Sequence, residues 1–236
     1  RLTPFLMKTG LPIDGLIRKT IFKQFVGGET LTETASVVGT LAKYDVQVIL
    51  DYGVEGKEGE ENFDMATEEF IRVINYAATQ SNIPFMSIKV TGIASNTLLE
   101  TLNDAPRLRS GIHDNELEMA EWDRVRDRMY VICEAAAEKN IGVLIDAEET
   151  WIQDPIDRLA IELMTVYNNE KAVVYNTYQL YRNDRLNFLK ISHTIARDGN
   201  FILGAKLVRG AYMEKENQRA IEKVYTSPIC TSKTAT

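Results

Sequence analysis

Five short runs of β-branched and aliphatic residues recur along the chain, and a stretch with helical periodicity separates each from the next. The runs are VQVILDY (46–52), FMSIKVTG (85–92), GVLIDAEE (142–149), KAVVYNTY (171–178) and FILGAKLV (201–208). A nearly continuous apolar run of this length suits a strand covered on both faces. The clearest helix is Asn115–Lys139, with Trp122, Val125, Met129, Ile132 and Ala136 on one face and Asn115 and Glu118 as a capping pair. Strands that alternate with helices return to the same sheet edge and pair in parallel. The last three units repeat at intervals of about thirty residues, the length of a minimal βαβ step.

The first 44 residues carry no such run. Leu16, Ile17, Ile21 and Phe25 recur at helical spacing until Gly27-Gly28, and a second helix is expected from Thr30 to Lys43, with Thr30 as N-cap and Glu33 three residues on. An open doubly wound sheet and a closed barrel both begin with such repeats. The strand ends favour the barrel, because each carries polar side chains where a doubly wound fold would concentrate one Gly-rich loop. No G-x-G-x-x-G and no Walker-type loop follows any strand. The expected fold is therefore α/β, a (β/α)8 TIM-type barrel. It is expected to be incomplete here, with about five β/α units, since a full barrel takes about 250 residues. A helical segment (1–44) precedes the barrel part (45–236).

Composition narrows the function. At 236 residues and 44% hydrophobic content the chain can bury one sizeable core. A net charge of -7 without a basic stripe argues against nucleic acid as a partner, and the acidic run Glu55–Glu61 reads as a solvated loop. Cys133 sits among Val131, Ile132 and Ala135–Ala137, as a buried helical thiol would, and Cys230 lies far from it, so no disulfide framework is expected. His113 and His193 share no ligand-like spacing, so no metal is expected there. No apolar run reaches the roughly 20 residues that cross a bilayer, and Arg1–Gly10 lacks a signal-peptide pattern. A reducing interior is the expected compartment, with association at a membrane surface left open.

In a β/α barrel the C-terminal strand ends form the mouth where chemistry is done. Here they supply Asp51 and Tyr52, then Lys89 and Thr91, then Asp146, Glu148 and Glu149, then Asn176, Tyr178 and Gln179, and last Lys206, Arg209 and Tyr212. Alternation puts Asp146 and Glu148 on one side of their strand and Lys206 with Val208 on one side of theirs. A charge inside a barrel needs a partner, so Asp146 should face Lys89 or Lys206, either as a plain salt bridge or as part of a site. Lys89 could form a Schiff base or serve as a fixed cation; nearby carboxylates favour the cation. A Mg²⁺ site on Asp146 and Glu148 lacks a third oxygen ligand on a neighbouring strand. Gly210 would let backbone approach a flat ligand, or is simply a turn glycine. Tyr175, Tyr178 and Tyr181 could wall a site or pack the core.

The motifs DYGVEG (51–56), IKVTG (88–92), LIDAEETWIQDPID (144–157), NTYQLY (176–181) and GAKLVRGAYMEKE (204–216) together resemble the proline dehydrogenase family, from about Gly15 onward. That resemblance implies a barrel carrying non-covalent FAD that oxidises L-proline to Δ1-pyrroline-5-carboxylate and hands the electrons to a quinone at a membrane surface. It implies a cytoplasmic enzyme or one peripheral to an inner membrane, the mitochondrial one in a eukaryote. By position, Lys89 matches the lysine that contacts the substrate carboxylate, and Asp146 the aspartate near flavin and lysine. Asn176 stands where a Gln or Asn lies against the flavin, with Gln179 further along the strand, and Lys206 replaces a basic residue that donates toward flavin N5. Val208 and Gly210 border the isoalloxazine, and Tyr212 lines the proline pocket. Met213 occupies a position that is Trp in some relatives, which softens stacking there. The family's Tyr-x-x-Arg-Arg carboxylate clamp does not occur in these 236 residues. The alternatives carried forward are a non-catalytic or truncated barrel relative, and a Schiff-base lyase using Lys89.

Overall fold

The computed structural model describes residues 26–28, 30–53, 58–104 and 116–235. Leu16, Ile17, Ile21, Phe25, His113, Asn115 and the 54–56 part of the first motif lie outside the described residues. The remainder falls into two units that divide between Val48 and Ile49. In the first unit α1 spans Leu31–Ala42, and its N-cap is Thr30, whose side chain accepts the Glu33 N–H at 3.2 Å.

The second unit holds five strands: β1 (Ile49–Asp51), β2 (Phe85–Ile88), β3 (Gly142–Ile145), β4 (Val174–Gln179) and β5 (Ala205–Val208). They pair in the order β1-β2-β3-β4-β5, every pair parallel. Helices α2 (Glu60–Ala77), α3 (Asn96–Asp104), α4 (Glu116–Lys139), α5 (Thr150–Tyr167), α6 (Arg185–Asp198) and α7 (Met213–Lys223) fill the intervals and follow the last strand. A doubly wound sheet reverses direction at a switch point; this one never does. Successive strands lie side by side, and crossovers of the usual right hand lay the helices on one side only. The result is the TIM-barrel-like winding expected from the strand ends.

Strand alternation sorts the side chains into two layers. Met86, Ile88, Val143, Ile145 and Val174 face outward and are fully buried under the helices. Phe70 and Ile74 of α2, Met129 and Ile132 of α4, and Leu159 and Leu163 of α5 meet them, and are likewise fully buried. Each such side chain contributes about 1.5–3 kcal/mol by leaving water. Of the expected apolar stripe of α4, Val125, Met129, Ile132 and Ala136 are buried and Trp122 is half-buried. Cys133 lies within that core, where burial pushes its thiol upward.

The inner face is layered as well. At its lower end Phe85 meets Tyr175 edge to face, with ring centroids 5.5 Å apart. A Cβ on Gly142 would stand 2.4 Å from the Phe85 ring, so glycine is what lets the two aromatics meet. Tyr178 packs on Phe188 and is fully buried. Tyr178 therefore belongs to the core. The acidic run also differs from expectation at its end: Glu60 opens α2 and pairs with Arg124 and Arg128, and is not part of a freely solvated loop.

Candidate active site

Above the aromatic layer, the upper ends of β1, β2, β3 and β5 bring four charges into a row. Asp146, one residue beyond β3, accepts Lys206 Nζ at 2.5 Å and Ser87 Oγ at 2.7 Å on Oδ1. Its Oδ2 stands 3.5 Å from Lys89 Nζ, and Lys89 in turn lies 3.9 Å from Asp51. Lys206 reaches across β4 to make its contact, since Thr177 is its register partner there. The order of charge is Asp51, Lys89, Asp146, Lys206. Two cations share one close carboxylate, while Asp51 is more distant and 55% exposed. The Lys89 and Lys206 side chains keep 21% and 28% of their surface, so both can meet a ligand. Lys89 is thus flanked by two carboxylates.

Glu148 also turns toward β2, but two residues further along and out of solvent. Its Oε2 accepts the Thr91 hydroxyl at 2.6 Å and its Oε1 the Thr91 N–H at 3.2 Å. Burial raises this carboxyl to about 7, against the opposing pull of the Thr91 bonds and the Lys89 charge. Among the described residues, no group of three or more His, Cys, Asp and Glu could hold a metal ion.

Asn176 and Gln179, which the resemblance set against a flavin, have their amides engaged elsewhere. Asn176 projects from the outer side of β4 and donates to Asp157 Oδ1 at 2.9 Å. Register explains it: Thr177 pairs with Lys206 on the inner side, so its neighbour Asn176 must face the helices. Gln179 donates to the Glu148 carbonyl at 2.7 Å and accepts from Arg182 at 3.1 Å. The structure therefore joins Lys89, Asp146 and Lys206 and separates Asn176 from them.

Gln179 belongs to a closed polar circuit that sequence reading missed, and Asn176 is tied to it through Asp157. Asp157 accepts from Gln153 at 2.9 Å and Asn176 on one oxygen, and pairs with Arg185 at 2.6 Å on the other. Arg185 shares Asp184 with Arg182, Arg182 returns to Gln179, and Gln153 accepts the Glu148 N–H. Burial pushes the Asp184 carboxyl up, but the Arg185 and Arg182 hydrogen bonds outweigh it and hold it at about 2. The visible signal was weak: Asp157 and Arg185 stand 28 residues apart. Ser87 was hidden for another reason, as an ordinary mid-strand hydroxyl.

The remaining expected residues line the β5 end. Val208 shares the inner side with Lys206 by alternation. Gly210 has φ +91°, while a Cβ there would touch only Met213 Sδ at 3.7 Å. Backbone conformation, not crowding, calls for glycine at that point. Tyr212 is half-buried and its N–H donates to the buried Tyr181 hydroxyl at 3.3 Å. Tyr181, Arg209, Gly210 and Met213, with Cys230–Lys233, border a cavity of about 470 Å³. Helix α7 is strapped to the start of α5: Glu216 accepts the Thr150 N–H and hydroxyl, each at 2.7 Å, Lys215 pairs with Glu149, and Arg219 lies 4.2 Å over Trp151.

A family model described as proline dehydrogenase matches residues 35–236, and the chain belongs to the proline dehydrogenase family. It is 33% identical over 219 residues to the carbapenem antibiotics biosynthesis protein CarD of Pectobacterium carotovorum subsp. carotovorum, covering 92% of this chain and 57% of that protein. It is 30% identical over 263 residues to the mitochondrial proline dehydrogenase 1 of Dictyostelium discoideum, covering 94% of this chain and 45% of that one. The chain thus spans about half the length of these curated relatives. Among solved structures it resembles proline utilization A (PutA) from Bdellovibrio bacteriovorus inactivated by N-propargylglycine, with a TM-score of 0.77 at 18% identity, over 94% of this chain and 24% of that one. At that identity the likeness concerns the fold alone.

Proposed function

We propose that this chain is part of an FAD-dependent L-proline dehydrogenase, which yields Δ1-pyrroline-5-carboxylate and passes the electrons to a quinone. The observation that carries the reading is the row Asp51, Lys89, Asp146, Lys206 at the strand ends of a family member. The residues present suit a flavin, which is flat and gains negative charge on reduction. They offer two accessible ammonium groups beside one aspartate, and an open backbone stretch at Gly210. FAD, when bound, would supply the hydride acceptor.

The chain's own residues would do the rest. Lys206, Val208 and Gly210 would hold the ring, with Lys206 placed beforehand to stabilise incoming negative charge. Lys89 would grip the proline carboxylate and so orient a small substrate. Asp146 would set both lysines through its two oxygens, and Tyr212 would border the substrate pocket. Asn176 enters as a support of this face from behind and Gln179 as one from the inner side of β4, in keeping with their engaged amides.

A quinone acceptor would place the enzyme in the cytoplasm or at the periphery of an inner membrane, the mitochondrial one in a eukaryote. Among the described residues no helix is long and apolar enough to cross a membrane. The test is to express the full-length protein, record its visible spectrum and follow proline-dependent reduction of a dye. A yellow protein that bleaches with proline is expected. A colourless protein with no proline-dependent reduction overturns the proposal.

A further inference from the structure

Glu148 is a carboxyl 3% exposed at the edge of the charged row, and its peptide is held on both sides by side chains. The N–H donates to Gln153 Oε1 at 2.7 Å, and the carbonyl accepts Gln179 Nε2 at 2.7 Å. Those two amides are members of the closed circuit, so the peptide cannot shift without disturbing α5, β4 and α6 together. From that anchored peptide the carboxyl reaches over to β2 and takes both donors of Thr91. Thr91 is the middle residue of the 3-10 turn Val90–Gly92, which Lys89 caps in an extended conformation, with its carbonyl accepting Gly92 N–H at 3.0 Å. The charged groups that bear on the carboxyl are Lys89 from the end of β2 and Glu149 from its own segment; α5 and β4 present uncharged amides.

We infer that Glu148, through Thr91, is the positioning residue that fixes Lys89 on the inner face, with Gln153 and Gln179 as its anchors. A lysine has four rotatable side-chain bonds, so the place of its ammonium depends first on where its Cα is held. Asp146 steers the far end of that side chain, and the Glu148–Thr91 tie fixes the near end. The carboxyl is suited to this because its two oxygens meet the two Thr91 donors at once. The functional consequence rests on the reading of Lys89 as the cation for the proline carboxylate.

The test compares Thr91→Val, which keeps the shape and loses the hydroxyl, with Thr91→Ser, which keeps the hydroxyl. Two readouts are taken on the full-length protein: KM and kcat for proline with a dye acceptor, and the rate of Lys89 acetylation by acetic anhydride, followed by mass spectrometry against Lys190. Thr91→Val is expected to raise KM about tenfold with kcat within about twofold, since an ångström-scale misplacement of an orienting group costs one to two powers of ten. Its Lys89 is expected to acetylate several times faster, and Thr91→Ser should restore both values toward wild type. Gln179→Leu, which cuts an anchor from the far side, should shift both in the same direction and to a smaller extent. Wild-type KM and wild-type Lys89 labelling in Thr91→Val and Gln179→Leu, whatever their melting temperatures, overturn the inference. If the wild-type protein does not turn over proline at all, the proposed function fails and the labelling by itself decides the positioning role.

Discussion

Two sets of charged and amide side chains lie within a few residues of each other, and they are built on opposite terms. In the first set, Asp157, Arg185, Arg182, Gln153 and Gln179 are buried and, through Asp184 and the Glu148 peptide, close a circuit that Asn176 joins by its bond to Asp157. On the inner side, Lys89, Asp146 and Lys206 remain partly exposed, and two cations lean on one close carboxylate. A buried circuit bonded chiefly to its own members is scaffold, and among its polar atoms Arg185 Nε is a buried donor without a hydrogen-bond partner. A row of charges with residual exposure at a strand-end mouth is placed where a ligand can reach it. The same residue types thus take different parts according to how far they are buried.

The sharpest way to break this comparison is Asp157→Ala. It leaves the buried Arg185 with Asp184 as its remaining carboxylate and takes the shared acceptor from Gln153 and Asn176, and we expect a loss of roughly 3 kcal/mol, read from the denaturant midpoint. A loss below about 1 kcal/mol would mean that the circuit is no more structural than a surface pair.

Glu148→Gln probes the link between the two sets. Its carboxyl is held at about 7 in the fold, above its unfolded value, so the fold binds a proton that the unfolded chain releases. Stability from this group is therefore full in mild acid and is lost as pH rises toward and past 7. The wild type should lose about 3 kcal/mol at most between pH 5 and pH 8 through this group, and Glu148→Gln should remove that part of the slope. Parallel urea-midpoint curves for the two proteins would refute it.

Lys206→Met should behave in the opposite way to Asp157→Ala. Asp146 keeps Ser87 and Lys89, so stability should change by less than about 1 kcal/mol. Turnover should nevertheless fall about a hundredfold, as when a preorganised donor is removed. Steady-state rates beside a melting curve check both halves, and a large stability loss with unchanged turnover would make the row structural.

The smallest effect is expected at Gly210→Ala. The new Cβ meets only Met213 Sδ, at an ordinary contact distance of 3.7 Å, so the positive φ is what resists it, at a cost of about 1 kcal/mol. A much larger loss, measured by thermal melting, would show that packing rather than backbone strain sets that residue.

The chain pattern revealed the repeated β/α units, their parallel pairing and the side of β3 from which Asp146 looks for a cation, because these follow from local periodicity and the cost of a lone buried charge. It could not show which way Asn176 points. Its strand, VYNTYQ, is largely buried and carries polar residues on both faces, so no polar–apolar alternation marks the sides, and register with β5 makes the choice. Nor could it separate Tyr178 as core from a ligand wall, or join Asp157 to Arg185, since nothing local links residues so far apart. What the sequence by itself determined was the row of strand ends, Lys89, Asp146 and Lys206 among them. Only the tertiary structure decided which polar groups are closed upon one another and which stay open, because hydrogen bonding is settled by partners in space and not by residue type.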